Sequence, residues 1–213
     1  MREFNKRLIT SIALFFVLYI SLKSFLVLSF ALLFIVFLLL TEFNNIFLNI
    51  FKKKKLNHFF SILITYLYLM IFSISIILFL GEDNNDNIIL FLFLISISIS
   101  TDIGGYIFGK TFKGKKFSKI SPNKTYSGVV GSFLLSLLIS TLFFSNIDIV
   151  LNYLLFTVIL SAISQLGDLL ISFLKRKAKI KDTGSFLPGH GGLLDRLDGI
   201  LLAIPIGLLI ISL

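Results

Sequence analysis

The chain has 213 residues, of which 56% are hydrophobic, and its formal net charge is +9. The hydrophobic residues form long blocks, which indicates a polytopic membrane protein and leaves no polar stretch long enough to bury a separate soluble core. Cysteine is absent, which excludes disulfide bonds and thiolate metal sites, and no nucleic-acid recognition module is present.

Seven apolar blocks follow one another along the chain and predict seven transmembrane helices, because a bilayer core of about 30 Å requires roughly 20 apolar residues per helix. We place the helices near 8–22, 24–41, 59–80, 88–109, 128–144, 149–173 and 193–213. The first two blocks are short and meet at Lys23, so a re-entrant pair is an alternative. No small-residue cleavage site follows the first block, which favours a retained hairpin over a cleaved signal peptide.

Charge alternates between the segments that connect these blocks. Basic residues cluster in 2–7, 52–55, 110–124 and 175–181, whereas 81–87 is acidic and 145–148 is weakly acidic. With seven spans, every basic segment except Lys23 falls on one side of the membrane. By the positive-inside rule that side is the cytoplasm, so we expect a cytoplasmic N-terminus and an external C-terminus.

Two of the predicted helices carry polar residues along one face. The block at 149–173 has a stripe of Ser161, Ser164, Gln165, Asp168 and Ser172, and the block at 88–109 has one of Ser98, Asp102, Gly105, Tyr106 and Gly109. Ser98 and Gly105 are explained by helix packing. Asp102 and Asp168 are candidate site residues, because a carboxylate within a bilayer requires a cationic partner.

The last apolar block begins with two further carboxylates. Asp195 and Asp198 are three residues apart, and such residues are neighbours on a helix face. Three carboxylate-bearing helices that meet at one depth would form an oxygen-rich site of the kind that Mg²⁺ prefers. A simple ion pair between an aspartate and Arg196 is the alternative.

Two basic loops complete the candidate site. Residues 110–132 contain six lysines among Gly, Ser and Thr, and free backbone N–H groups in such a loop can bind phosphate, although no P-loop motif is present. A plain cytoplasmic loop is the alternative. The second loop, 175–192, combines lysine and arginine side chains with His190 and several glycines. Together these residues indicate a substrate with several phosphates beside a metal held by carboxylates.

Residues Ser172–Asp198 resemble the signature of the phosphatidate cytidylyltransferase family, also called CDP-diacylglycerol synthases. Every fixed position agrees: Ser172, Lys175, Arg176, Lys181, Asp182, Gly184, Leu187, Pro188, His190, Gly191, Gly192, Asp195, Arg196 and Asp198. The resemblance extends to DIGGYIFG at 102–109 and to SPNKTYSG at 121–128, where Asn123 and Ser127 replace a usual lysine and a usual glutamate. The pair Glu42–Phe43 is also similar to the family.

The resemblance, together with the apolar blocks and the charge pattern, implies an all-α polytopic integral membrane protein with about seven transmembrane helices and an active site on the cytoplasmic side. It implies one membrane-embedded CTP-transferase domain over 1–213, with N-terminal spans at about 8–80 and a catalytic half at about 88–213. The implied reaction transfers CMP from CTP to phosphatidate and gives CDP-diacylglycerol and pyrophosphate. Its place would be phospholipid biosynthesis in the cell (inner) membrane.

The resemblance also implies roles for individual residues. Asp168 and Asp195 would hold Mg²⁺. Asp198 and Asp102 would be further ligands or would support the ligands without binding the ion. The implied catalytic residues are Lys175, Arg176, Lys181, Asp182, His190, Asp195, Arg196 and Asp198. The implied substrate-binding residues are Ser121, Lys124, Thr125, Ser172, Gly191 and Gly192.

Other interpretations stay open at this point. A second cation and a homodimer are compatible with the sequence. Another CTP-dependent lipid enzyme, such as a polyprenol kinase-like protein, would use the same chemical groups but release CDP. A cation transporter would explain the aspartate stripes but not the basic loops, and a non-catalytic scaffold is a third alternative.

Overall fold

The structure is a computed structural model that describes residues 2–52, 54–81, 85–117, 121, 124–144, 147–184, 186 and 191–212. Within these residues the chain forms seven helices joined by loops. They are α1 (Arg2–Lys23), α2 (Phe25–Phe51), α3 (Lys55–Gly81), α4 (Asn85–Phe112), α5 (Tyr126–Phe143), α6 (Ile147–Ala178) and α7 (Leu194–Ser212). Each predicted apolar block therefore corresponds to one helix, and the all-α fold class is confirmed.

Helix α2 continues furthest beyond its predicted span. The sequence predicted an end near residue 41, where polar residues begin, but the helix continues to Phe51. Glu42 and Phe43 are both buried within this extension. A polar residue need not end a helix when its side chain finds partners inside the protein. Ser24, in extended conformation, separates α1 from α2 where a break was predicted.

In the part of the chain that the structure describes, five helices are long and apolar enough to cross a membrane. They are α2, α3, α4, α5 and the part of α6 at Tyr153–Ala178. Among the described residues α1 contributes a shorter apolar segment, Ile12–Lys23, and α7 carries Asp195, Arg196 and Asp198 at its start. The chain is therefore a membrane protein by helix length and composition, whereas a count of seven spans stays a prediction.

The chain divides into two compact units, of which the first comprises Met1–Asn87 and Leu174–Leu197. Its apolar core includes Leu39, Ile46 and Leu69, which are fully buried. The second unit comprises Ile88–Phe173 and Asp198–Leu213. Helices α6 and α7 each contribute residues to both units.

Small residues bring the helices of the second unit into close contact. A side chain at Gly104 would meet the backbone of Gly131, so α4 and α5 pack backbone against backbone. The hydroxyls of Thr101 and Ser161 lie 2.9 Å apart, and the Ser132 hydroxyl donates to the Thr101 carbonyl at 2.7 Å. Polar side chains thus join α4, α5 and α6 in the interior of this unit.

The polar stripe predicted on α6 is confirmed. Ser161 and Ser164 are fully buried, whereas Leu166, Leu170 and Phe173 on the other side are among the exposed residues. This distribution is the reverse of that in a soluble helix and suits a helix whose apolar face contacts lipid.

The stripe predicted on α4 is wrong in two of its members. Ser98 is fully buried, but Tyr106 is 67% exposed and Asp102 is also exposed. The packed face contains Thr101 and Gly104, and the predicted Gly105 also faces α5, since a Cβ there would lie 2.8 Å from the Ser132 hydroxyl oxygen. Close approach to α5 explains the glycines of this helix, whereas Asp102 and Tyr106 remain exposed.

Candidate active site

Asp195, in the first turn of α7, accepts hydrogen bonds from several groups of the first unit. Its Oδ1 accepts from the Lys175 ammonium at 2.7 Å. Its Oδ2 accepts from the backbone N–H of Thr183 at 2.9 Å and of Gly192 at 3.2 Å, and it lies 3.0 Å from the Thr183 hydroxyl. The side chain is only 11% exposed. Asp195 therefore forms an ion pair with Lys175, whereas the alternative stated from the sequence was a pair between an aspartate and Arg196.

Glu42 lies behind this cluster and was missed as a site residue. Its carboxylate is 4% exposed and accepts from the Thr183 hydroxyl at 2.7 Å. It also accepts from the backbone N–H groups of Leu193 and Leu194 at 2.8 and 2.9 Å. A sequence signal existed, because Glu42 is a carboxylate in the otherwise uncharged helix α2, and an ionisable residue in such a segment indicates function.

The glycines of this loop are required by close packing. A side chain at Gly192 would collide with Thr183 and would lie 2.6 Å from Glu42 Oε2, and one at Gly184 would lie 2.8 Å from Glu42 Oε1. Gly191 has a φ of +83°, which favours glycine. Gly184 and Gly192 therefore make room for the Glu42 carboxylate, a role that the sequence interpretation did not include.

A second carboxylate cluster lies in the second unit. The Lys124 ammonium contacts Asp168 Oδ2 at 2.5 Å, and the Ser172 hydroxyl donates to Asp168 Oδ1 at 3.2 Å. The two charged side chains are 23% and 26% exposed. The predicted proximity of Ser172 to Asp168 is confirmed, and Lys124 reaches the same carboxylate from the basic loop.

That basic loop is folded back on itself. Lys116 and Thr125 form an antiparallel bridge, and the Phe117 N–H donates to the Lys124 carbonyl at 2.8 Å. The Thr125 hydroxyl accepts from the Gly128 N–H at 3.1 Å and caps α5. Ser127 accepts from the Gly114 N–H at 3.3 Å. The bridge and the cap hold Lys124 beside Asp168, and they give Thr125 a structural role in addition to its predicted one.

The other predicted residues have varied positions. Arg176, Lys181, Asp182 and Arg196 are exposed, and Ser121 and Asp198 are half-buried. Asp198 accepts from the Gly199 N–H at 2.9 Å, and the Ser121 carbonyl accepts from the Lys124 N–H at 3.0 Å. His190 and Asn123 lie outside the described residues. The catalytic and binding roles of all these residues stay predictions.

The donor chemistry around Asp168 and Asp195 is compatible with a divalent cation. Carboxylate oxygens are the ligands that Mg²⁺ prefers, and each of these carboxylates already binds one lysine ammonium. In neither unit do the described residues bring three or more His, Asp or Glu side chains together to hold a metal. Because Asp168 and Asp195 belong to different units, a cation shared between them stays a prediction.

Comparison with known proteins gives a consistent result. The model of the cytidylyltransferase family matches residues 1–213. Phosphatidate cytidylyltransferases of Bacillus subtilis and Staphylococcus haemolyticus are each 46% identical over 110 residues, which is 50% of this chain and 41% and 42% of theirs. That of Rickettsia felis is 46% identical over 117 residues, 50% of this chain and 52% of its own. The similarity thus spans about half or less of the length of these relatives.

Proposed function

The chain belongs to the cytidylyltransferase family, and we propose that it transfers CMP from CTP to phosphatidate, giving CDP-diacylglycerol and pyrophosphate. The observation that carries this proposal is the pair of carboxylate–lysine clusters, Asp195 with Lys175 and Asp168 with Lys124. Each cluster combines a ligand for a hard cation with a donor for phosphate oxygens. The names of the similar proteins support this choice of substrates.

The reaction needs little proton chemistry from the protein. A phosphomonoester has a second pKa of about 6 and is largely dianionic at neutral pH. One oxygen of the phosphatidate phosphate forms a bond to the α-phosphorus of CTP, and the bond from that phosphorus to the bridging oxygen breaks. Pyrophosphate leaves with the electron pair. The principal obstacle is repulsion between two polyanions, so positioning and charge neutralisation carry the catalysis.

The residues of the site can supply that neutralisation. Lys175, Arg176, Lys181 and Arg196 would hold phosphate groups, with His190, Gly191 and Gly192 around the triphosphate. Asp168 and Asp195 would hold Mg²⁺, with Asp102 and Asp198 as further ligands or supporting groups. When bound, the ion would neutralise charge on the CTP phosphates and on the leaving pyrophosphate.

The charge pattern of the loops supports the proposed orientation in the membrane. The basic segments would face the cytoplasm of the cell (inner) membrane, with the N-terminus inside and the C-terminus outside. Phosphatidate would enter sideways between helices, so that its acyl chains remain in the bilayer while its phosphate reaches the basic loops. The exposed apolar surfaces of α2, α3 and α6 are compatible with such an approach.

Replacing Lys124 with methionine should lower kcat/KM for CTP by roughly 10- to 100-fold, since a hydrogen bond to a charged group contributes about 1.5–3 kcal/mol. The change also leaves Asp168 without its ammonium partner. Steady-state kinetics at saturating phosphatidate measure this effect. Lys115→Met is the matched control, because Lys115 is exposed in the same loop. Equal kinetics for the two variants would exclude Lys124 from the site.

A product assay tests the proposed function itself. The purified chain, incubated with CTP and phosphatidate, should release pyrophosphate only when both substrates and Mg²⁺ are present. A polyprenol kinase-like enzyme would release CDP instead, and a cation transporter would pass ions without consuming CTP. Absence of pyrophosphate from a folded preparation would reject the proposal.

A further inference from the structure

Helix α7 lacks a capping side chain at its own N-terminus. The carbonyl of Leu193 accepts from Arg196 and Leu197 at 3.0 and 3.1 Å, so Leu193 occupies the N-cap position. Leucine is among the poorest residues there, because it offers no oxygen to the free N–H groups of the first turn. Another part of the chain must satisfy these donors if they are buried, and both Leu193 and Leu194 are buried.

Glu42 provides the missing acceptors from helix α2. Its Oε1 accepts from the Leu193 N–H at 2.8 Å, and its Oε2 accepts from the Leu194 N–H at 2.9 Å. A negative charge at this position is also favoured by the helix dipole. The carboxylate thus caps α7 although it lies far from α7 in sequence.

Thr183 extends this contact to Asp195. Its hydroxyl lies 2.7 Å from Glu42 Oε2 and 3.0 Å from Asp195 Oδ2. Its backbone N–H donates to the same Asp195 oxygen at 2.9 Å. The segment that Glu42 caps is continuous with Gly192, whose N–H is another donor to Asp195. Two structural connections therefore join Glu42 to Asp195, one through Thr183 and one through the start of α7.

We propose that Glu42 is a positioning residue for Asp195. It fixes the first turn of α7 and the Thr183 hydroxyl. Through both contacts it determines the position of the Asp195 carboxylate, which the proposed function assigns to the cation. Small displacements of a reacting group reduce catalysis strongly, so Glu42 acts on turnover without contacting substrate. This inference rests on the proposed function for its kinetic consequence, but its structural part is independent of activity.

The packing around Glu42 is consistent with a fixed position. Side chains are excluded at Gly184 and Gly192 because the Glu42 carboxylate occupies the adjacent space. Phe43 and Ile46 beside it on α2 are buried as well. The carboxylate therefore has little freedom to leave the N-terminus of α7.

The test compares Glu42→Gln with Asn49→Ala in the full chain. Glutamine keeps the shape of the side chain but offers one acceptor oxygen in place of two and places an N–H₂ group against the backbone donors. Asn49 is an exposed residue of the same helix. Amide hydrogen exchange should accelerate by about tenfold or more at Leu193, Leu194, Thr183 and Gly192 in Glu42→Gln, and it should stay unchanged in Asn49→Ala.

Kinetics give the second readout. In Glu42→Gln, kcat should fall by about tenfold or more while KM for CTP changes by less than about threefold, since positioning affects the reacting geometry more than ground-state binding. In the double variant Glu42→Gln with Thr183→Val, the fold decrease in kcat should be smaller than the product of the fold decreases in the two single variants, because both residues act on Asp195.

The outcomes separate this inference from the proposed function. The positioning role would be contradicted if exchange at the four amides became faster while kcat stayed unchanged. It would also be contradicted if the decreases in kcat of the two single variants multiplied fully in the double variant. Unchanged exchange would contradict the cap itself. If the wild-type chain released no pyrophosphate, the proposed function would fail, whereas the exchange result at Thr183 and Gly192 would still decide whether Glu42 positions Asp195.

Discussion

Replacing Asp195 with asparagine should abolish turnover and leave the fold intact. Asparagine has nearly the same shape, and its amide oxygen can still accept from the Thr183 and Gly192 N–H groups. It has no charge to pair with Lys175 or with a cation, and stabilisation by a bound metal is worth several kcal/mol. We therefore expect activity to fall by roughly a thousandfold or more, measured as release of pyrophosphate from CTP.

Asp86→Asn is the control for this substitution. Asp86 is an exposed carboxylate in the first turn of α4, and the change again exchanges one oxygen for an amide nitrogen. Its activity should stay within about threefold of the wild type, since surface substitutions usually change stability by no more than about 0.5 kcal/mol. Substantial activity in Asp195→Asn would show that this carboxylate is not essential.

Replacing Gly167 with alanine should destabilise the second unit. A Cβ at this position would lie 2.6 Å from the Asp198 carbonyl oxygen and 3.2 Å from the Gly199 Cα. These are backbone atoms, so α6 and α7 must move apart to admit the methyl group. Overpacking of this kind costs about 1–3 kcal/mol, and a lower midpoint of thermal unfolding in detergent should reveal it. Activity should fall as well, because Asp168 and Asp198 adjoin the crossing.

Gly81→Ala is a matched control for this effect. A Cβ at Gly81, at the end of α3, would meet only the edge of the Phe25 ring at 3.5 Å, an ordinary contact. Alanine is also the better helix former. The unfolding midpoint of Gly81→Ala should therefore equal or exceed that of the wild type. A Gly167→Ala variant as stable as Gly81→Ala would contradict the close crossing of α6 and α7.

The helices were the part of the fold that the sequence could predict. Apolar blocks of membrane length indicate helices because the backbone must satisfy its own hydrogen bonds in lipid, and each block became one helix. The end of α2 was not predictable from local pattern. Its continuation through Glu42 depends on partners at residues 183, 193 and 194, and no local rule connects such distant positions.

The site was predictable in composition but not in pairing. The sequence identified Asp168, Lys124, Lys175 and Asp195 as candidates, and the structure pairs each carboxylate with one of the lysines. Which lysine meets which aspartate depends on how the loops return to the helices. Gly192 was predicted to contact substrate, and the structure adds a packing role beside Thr183 and Glu42. Glycine signals close approach, but the sequence does not show what approaches.

The most direct test of the proposed reaction follows the phosphorus atoms of CTP. The full chain would be placed in vesicles that contain phosphatidate, with Mg²⁺ and CTP labelled at either the α- or the γ-phosphorus. We predict that the α-label enters the lipid and that the γ-label leaves entirely as pyrophosphate, in equal amounts. Entry of the γ-label into lipid with formation of CDP would contradict a cytidylyltransferase, and so would the absence of any labelled lipid.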